Sequence, residues 1–370
     1  MKAFLMYRDR DFDLEGPLPS NSEALVQDLE LNVLFDAMSQ GDKYLREVVS
    51  KAVLQILRNE NEVRYRQDVL RDVLANPNYV RQIYDLTIEA HEKEKKAHHW
   101  MYSKSPSSIL GQSVDLLQGY VALLKQLRGV GTYNARRFPS EGFTRFFAML
   151  DRELSDDYFV RIQDHLNRLK FRGGVLTSAV LGMGFKAADY TLRKPNDQPG
   201  NMIKRLMTPK PPGYTWTLPP RDEQGANALG ELRDRGLNLV ANALAQSDDH
   251  ILSFFAMLRT ELAFYVGCLN LREQLFRKGQ PISFPDPASR NERKLTFSGL
   301  YDVCLTFKAS DPVIGNDLKA DGRDFVIITG ANTGGKTTFL RSVGLAQLMM
   351  QWPTCAAVFS RITCVRKTPR

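Results

Sequence analysis

The sequence predicts a multidomain protein of mixed α and α/β class. A mostly helical region is expected over residues 1–284, followed over 285–370 by the front part of a P-loop nucleotide-binding domain. Three observations carry this reading. Apolar residues recur at helical spacing through most of the first 280 positions. After Pro287 the texture changes to short apolar runs that read as strands. Gly330–Thr337 fits G-x-x-x-x-G-K-[ST] at every fixed position.

The helical elements follow in order. Ser20-x-x-Glu23 has the spacing of a capping box, and Leu25, Leu29, Val33 and Ala37 then recur every fourth residue. After Gly41-Asp42 a second stripe runs through Tyr44, Leu45, Val48, Val49, Val53, Ile56 and Leu57. Val63, Val69, Leu70, Val73 and Leu74 form a third, closed by Asn76-Pro77, because proline breaks the helical hydrogen-bond ladder. Val80, Ile83, Tyr84 and Leu86 begin a fourth. A leucine-rich helix over Ile109–Leu127 is expected to end at Gly129-Val130-Gly131. Phe143, Phe146, Phe147, Leu150 and Leu154 continue the pattern, as do Phe159, Ile162, Leu166 and Leu169.

Residues 172–220 read as an insertion. Gly173–Gly184 is punctuated by glycine and suggests short strands or a hairpin, and Asn196–Pro220, rich in Pro, Gly and Thr, reads as a linker. Helix is expected to resume near Arg221 and to run to Arg277, with a break at Gln246-Ser247-Asp248-Asp249. Pro281, Pro285 and Pro287 mark a boundary. Beyond it, Lys294–Phe297 and Val303–Phe307 read as strands. Phe325–Thr329, apolar on both faces, reads as a buried parallel strand, and Phe339–Gln351 as a helix.

The glycine motif points to phosphate. A random chain of 370 residues shows this pattern roughly one time in a hundred at ordinary residue frequencies. Glycines allow positive φ and close approach to an anion without a Cβ clash. Successive N–H groups of Gly330, Ala331, Asn332, Thr333, Gly334 and Gly335 are then expected to cradle phosphates, aided by the positive end of the following helix dipole. Lys336 is expected on the β- and γ-phosphates, the Thr337 hydroxyl on Mg²⁺, and Thr338 beside the α-phosphate. The expected cofactors are ATP and Mg²⁺.

Ile328-Thr329-Gly330-Ala331-Asn332-Thr333-Gly334-Gly335-Lys336-Thr337-Thr338-Phe339-Leu340-Arg341 resembles the P-loop of MutS-type DNA mismatch-repair ATPases, I-T-G-x-N-x-G-G-K-[ST]-T-x-x-R. The interior Asn332 and the doubled Gly334-Gly335 separate it from other P-loops. Gly344–Gln351 continues the likeness. Val313–Leu318 resembles the family segment beside the adenine, which places Asn316 there. Asp28-Leu29-Glu30-Leu31 with Met38–Asp42 is similar to the start of the family's helical core. The resemblance covers about 20–351. It implies a helical core and lever joined to an ABC-type ATPase, ATP with Mg²⁺, DNA as partner, and a homodimer whose nucleotide domains close to drive a DNA clamp.

The chain departs from that family in three places. No Phe-x-Glu occurs, so reading a mismatch by that wedge is not expected. The long helical clamp is shortened or replaced by Gly173–Pro220. No Walker B acidic pair, signature loop or distal histidine follows Lys336, and Trp352–Arg370 departs from the family pattern, as in a truncated or frame-shifted product. Poor ATP hydrolysis is expected from such a chain.

Composition bounds the alternatives. Hydrophobic residues make up 43% and charged residues 25%, as in ordinary folded domains. No run of eighteen apolar residues occurs, so no membrane partner is expected. Cys268, Cys304, Cys355 and Cys364 show no C-x-x-C pairing and suggest a reduced, cytoplasmic protein. Half of the net charge of +8 comes from Arg361, Arg366, Lys367 and Arg370, so charge alone is a weak pointer to DNA. His91, His98 and His99 lie among three lysines and read as a solvated face rather than a metal site. Asp156-Asp157 and Asp248-Asp249 read as helix starts, and Phe146, Phe147, Phe254 and Phe255 as core. Trp216, in the linker, is better placed for a contact. A GTPase requires Asn-Lys-x-Asp, which does not occur. The alternative to a DNA-associated ATPase is a structural or regulatory P-loop protein that binds nucleotide without acting on DNA.

Overall fold

The computed structural model describes residues 1–55, 57, 59–99, 105–172, 174–194, 213–214, 216–288, 292–332 and 334–351. The protein is mostly helical, with two small antiparallel sheets. Its elements are α1 (Ser22–Asp28), α2 (Leu31–Ser39), α3 (Lys43–Leu54), α4 (Glu60–Ala75), α5 (Pro77–His99), α6 (Pro106–Asn134), α7 (Glu141–Glu153) and α8 (Asp156–Leu169). The hairpin β1 (Leu176–Leu181) and β2 (Ala187–Arg193) follows, then α9 (Glu223–Arg277), β3 (Thr296–Leu300), α10 (Val303–Lys308), β4 (Asn316–Lys319) and α11 (Lys336–Gln351).

The chain forms two compact units. Met1–Glu89, Lys125–Leu154 and Phe254–Arg370 make up the first, and Ala90–Leu124 with Ser155–Ser253 the second.

Helix starts in both units are fixed by short polar side chains that accept an orphan amide, as helix N-termini require. Asp42 accepts from Leu45 N at 3.0 Å, Ser140 from Phe143 N at 3.4 Å, and Ser155 from Tyr158 N at 3.2 Å. The core of the first unit is the apolar faces so aligned: Leu34, Met38, Val48, Val53, Val69, Leu70, Phe143, Phe146 and Phe255 are all buried. The predicted core phenylalanines Phe147 and Phe254 are buried with them. The second unit packs Leu110, Leu237 and Ala241 together, with Phe171, Val175 and Leu192 against them. In its hairpin, Leu176 stands opposite Arg193 and Leu181 opposite Ala187.

An N-terminal strap completes the first unit. Leu5 and Met6 have no exposed surface. Glu261 of α9 accepts the backbone N–H of Leu5 at 2.7 Å and of Phe12 at 3.3 Å. In return, the Tyr65 hydroxyl donates to Phe4 O at 2.6 Å, Arg66 Nε to Met6 O at 2.7 Å, and the Tyr265 hydroxyl to Leu5 O at 2.7 Å. Burial pushes the Glu261 carboxyl up to about 7, although the amide bonds from the strap favour its charged form.

Several sequence expectations are corrected. The capping box does not form: α1 is preceded by Asn21 with no side-chain cap. The stripe Leu25–Ala37 is two helices, split where Glu30 adopts φ 54°. α6 runs through Gly129 and Gly131 to Asn134, because Gly131 packs against the ring of Phe147 and is not a helix stop. α9 is unbroken. Ser247 donates back to Ala243 O at 2.9 Å, and Asp248 turns inward to Ser113 of α6, so neither aspartate starts a helix there. Asp156 and Asp157 do lie in the first turn of α8.

In the last region, Val303–Phe307 is helical, nucleated by Asp302, which accepts from Leu305 N at 2.9 Å. Phe325–Thr329 is not a strand and is not buried: Phe325 is 85% and Ile327 79% exposed. A central parallel strand needs neighbours on both sides, and among the described residues β3 and β4 pair only with each other. An eighteen-residue stretch of α9 is apolar enough, by length and composition, to cross a membrane, and 61% of it is buried as in a core helix. Within Asn196–Pro220, residues 196–212 and 215 lie outside the described residues, as do Ile56, Gly173, Cys355, Cys364 and Trp352–Arg370. Trp216 is exposed.

Candidate functional site

The glycine loop stands between the exposed segment 325–329 and α11. Gly330 takes φ 150° and Gly335 φ 80°, the left-handed side where only glycine is unstrained, and a β-carbon on either meets open space. Gly334 N donates to Ala331 O at 3.1 Å, closing a tight turn, and Phe339 N donates to Gly335 O at 2.9 Å as the helix begins. Lys336 is the first residue of α11. Its ammonium folds back onto Gly330 O at 2.8 Å and Ala331 O at 2.6 Å.

Ala331, Asn332 and Thr337 are exposed, and Thr338 is half-buried in the first helical turn. Thr333 lies outside the described residues. The loop thus presents a lysine, a threonine hydroxyl and a helix N-terminus to solvent together, which is a donor set suited to an anion. A triphosphate placed there would meet open space over Gly330 and Gly335. It has to exchange places with the two carbonyls now held by Lys336, and to free the Gly334 amide. Thr337 is the residue at hand for Mg²⁺. Among the described residues no cluster of three or more His, Cys, Asp or Glu side chains forms a metal site. His91 lies 3.2 Å from Glu94, and the side chains of His98 and His99 lie outside the described residues.

α11 is held by a small core in which Phe297, Leu300 and Ala346 meet Leu318, Phe339 and Val343. Asn316 opens β4 opposite Leu300 and is exposed. Beside it, Gly315 crosses the backbone of Gly299 so closely that a β-carbon on Gly315 overlaps the Gly299 carbonyl. Asp317 locks the crossing. Its carboxylate accepts from the Ser298 hydroxyl at 2.8 Å and from Gly299 N at 2.6 Å, which lowers its pKa, the Ser298 bond contributing most.

Sequence reasoning missed the groups that hold α11 to the helical part of the unit. Arg341 bonds the buried Asp302 through Nε and lies 2.7 Å from Glu30 through Nη1. Lys308 donates to the other Glu30 oxygen at 2.6 Å. That bond, against the cost of burial and with the charge of Arg341, lowers the Glu30 pKa. Leu29 packs on Gly344 of the same helix. The arginine was visible as the last letter of the motif. Its partners were not, because Asp302 caps a helix that reads as a strand and Glu30 sits at an unexpected kink.

The comparisons with known proteins support the family resemblance. A model of the MutS2 N-terminal domain family matches residues 58–278, more than half of the chain. The chain is 38% identical over 71 residues to the DNA mismatch repair protein MutS of Synechococcus sp. (strain CC9902), covering 19% of this chain and 8% of that protein. It is 40% identical over 70 residues to DNA mismatch repair protein MutS of Chloroflexus aurantiacus, covering 18% of this chain and 7% of that protein. Likeness to MutS protein homolog 4 of Homo sapiens is 36% over 53 residues, 14% of this chain and 6% of that one. The chain therefore spans under a tenth of the length of these relatives in each match. On the family model, the chain belongs to the MutS-related proteins, through the MutS2 N-terminal domain.

Proposed function

We propose that this chain is an ATP-binding, DNA-associated protein of the MutS type, in which nucleotide binding is coupled to closure of a DNA clamp. The observation that carries the reading is the loop Gly330–Gly335 with Lys336 at the head of α11. Bound ATP with Mg²⁺ supplies a triphosphate charge whose position the protein must sense. Lys336 leaves its own loop carbonyls for the phosphates, and Thr337 offers its hydroxyl to the metal. The open space over Gly330 and Gly335 admits the phosphate chain, and Asn316 stands in the segment assigned to the adenine side. Arg341 then passes any shift of α11 to Asp302 and Glu30, and so to α10 and the junction of α1 with α2. Residues 285–370 are the front part of an ABC-type P-loop domain in this reading, and residues 1–284 the core and lever. Two copies are expected to close across their nucleotide sites.

The test is fluorescence anisotropy with labelled homoduplex, a G·T mismatch and a four-way junction, at two salt concentrations, with and without Mg-ATP. Binding that falls steeply with salt, and that Mg-ATP alters, supports the proposal, since backbone contacts release counterions. A preference for the single mismatch of less than about tenfold is expected, because no wedge is present. Nucleotide binding with no DNA affinity at the lower salt assigns the chain to the nucleotide-switch alternative.

A further inference from the structure

The second unit has an open-mouthed cavity of about 710 Å³ between α6, α8, the end of β2 and α9. Its size lies within the range of small-molecule sites, about 300–1,000 Å³. The walls are mostly aliphatic: Leu117 from α6, Ile162 and Leu166 from α8, Leu192 from β2, and Leu244 and Ile251 from α9, with the ring of Phe171 beside them. The rim is of one sign. Arg168, Arg193 and Lys194 line it beside the imidazoles of His165 and His250, and among the described residues no aspartate or glutamate does. Arg168 shares its charge with Asp164 at 2.8 Å, outside the lining, and Arg193 donates from Nε to Ser178 Oγ at 2.7 Å.

The chemistry of the lining selects its ligand. Aliphatic walls exclude a hydrated anion, and a cationic rim gives nothing to a neutral hydrocarbon. The ligand that uses both is an amphiphile with an apolar body and a single acidic head. Among the described residues the neutral hydrogen-bonding groups of the lining are the hydroxyls of Ser247 and Tyr158 and the imidazoles of His165 and His250, and no side-chain amide lines it to pair with the edge of a nucleobase. An acyl chain asks for none.

We propose that this cavity binds an aliphatic monocarboxylic acid, its chain among Leu117, Ile162, Leu166 and Leu244 and its carboxylate at Arg193 and Lys194. The site is independent of the glycine loop, and its test does not involve ATP or DNA.

The test is calorimetric titration of the full chain with decanoate and dodecanoate below their micelle concentrations, with decanol, AMP and anionic phospholipid vesicles as comparisons. One saturable site is expected, tightening about fourfold per added methylene from decanoate to dodecanoate. Decanol is expected to bind at least about tenfold more weakly than decanoate. Arg193→Glu with Lys194→Glu, both exposed and checked for folding by the melting curve, is expected to weaken decanoate about tenfold and to leave decanol unchanged. Leu244→Trp, checked by its melting curve, is expected to abolish binding of both. No saturable binding by the folded wild type overturns the proposal. So does equal affinity for acid and alcohol, indifference to the charge reversal, displacement by AMP, or binding to vesicles without binding of the monomeric acid.

Discussion

Arg341 rests its guanidinium on the carboxylate of Asp302, whose side chain has no exposed surface, while Arg341 itself is 14% exposed. The pair joins α11 to the cap of α10, because Asp302 also accepts from Leu305 N. Breaking such a pair from one side leaves a buried charge uncompensated, at a cost of about 3–5 kcal/mol. Arg341→Ala is expected to lower the unfolding free energy by about 3 kcal/mol in urea titration. Adding Asp302→Asn to it is expected to recover part of that loss, since the uncompensated charge is gone. A double variant less stable than the sum of the two single ones would refute the pairing.

Lys336→Ala separates binding from folding. Among the described residues the lysine bonds only carbonyls of its own exposed loop, so far-UV circular dichroism and the melting temperature are expected to stay as in wild type. Affinity for Mg-ATP is expected to fall by roughly 10- to 100-fold, the worth of a charge-assisted bond of about 1.5–3 kcal/mol. Titration with a fluorescent nucleotide reads it directly, and equal affinity in the two proteins removes the phosphate role of this lysine.

The strap carries a pH signature. Glu261 is held near 7 in the folded chain against 4.5 for an ordinary glutamate, so the folded state binds the proton more tightly. The sign is therefore that of a raised pKa. The stabilisation is complete below about 4.5, falls as pH rises towards 7, and is absent above it; the difference is about 3 kcal/mol by linkage. Asp248, also raised to about 7 by burial, adds a change of the same sign. Denaturant midpoints measured from pH 5 to 8 are expected to fall in wild type and to fall less steeply in Glu261→Gln. Parallel slopes in the two would place the proton elsewhere.

Gly315→Ala tests the crossing under β4. The new methyl overlaps the Gly299 carbonyl, and backbone cannot yield as a flexible side chain does. Overpacking of this kind costs about 1–3 kcal/mol, which lowers the melting temperature. Because Asn316 follows directly, nucleotide affinity is expected to weaken with it. An unchanged melting curve shows that the two strands have room to part.

The helical half was legible from periodicity alone, because each stripe faces the core of its own unit: Val48, Val53, Val69 and Phe146 are buried in the first as their spacing requires, and Leu110 and Leu237 in the second. What periodicity misjudges is where tertiary contact overrides local chemistry. Gly131 reads as a stop and is a contact with Phe147. Asp248 reads as a helix start and points inward to Ser113. Phe325–Thr329 reads as a strand because its residues favour one, yet a strand exists only by pairing, and pairing is not written in five residues. The turn positions Gly330 and Gly335 were legible because positive φ falls to glycine. Glu30 and Asp302 were not, since a long-range ion pair leaves no local pattern.

The N-terminal strap has a consequence for the order of synthesis. Leu5 and Glu261 are separated by 256 residues, whereas Glu62, Tyr65, Arg66 and Glu141, which also bond the strap, are made earlier. On the ribosome, at roughly 5–20 residues per second, the strap emerges ten seconds or more before α9 exists to receive it. During that interval Leu5 and Met6 are bare hydrophobic chain, open to a chaperone or to a neighbouring nascent protein. A peptide fused ahead of Met1 leaves that interval as it is but turns the ammonium, 3.1 Å from Glu153, into an amide, which removes one of the strap's own ion pairs.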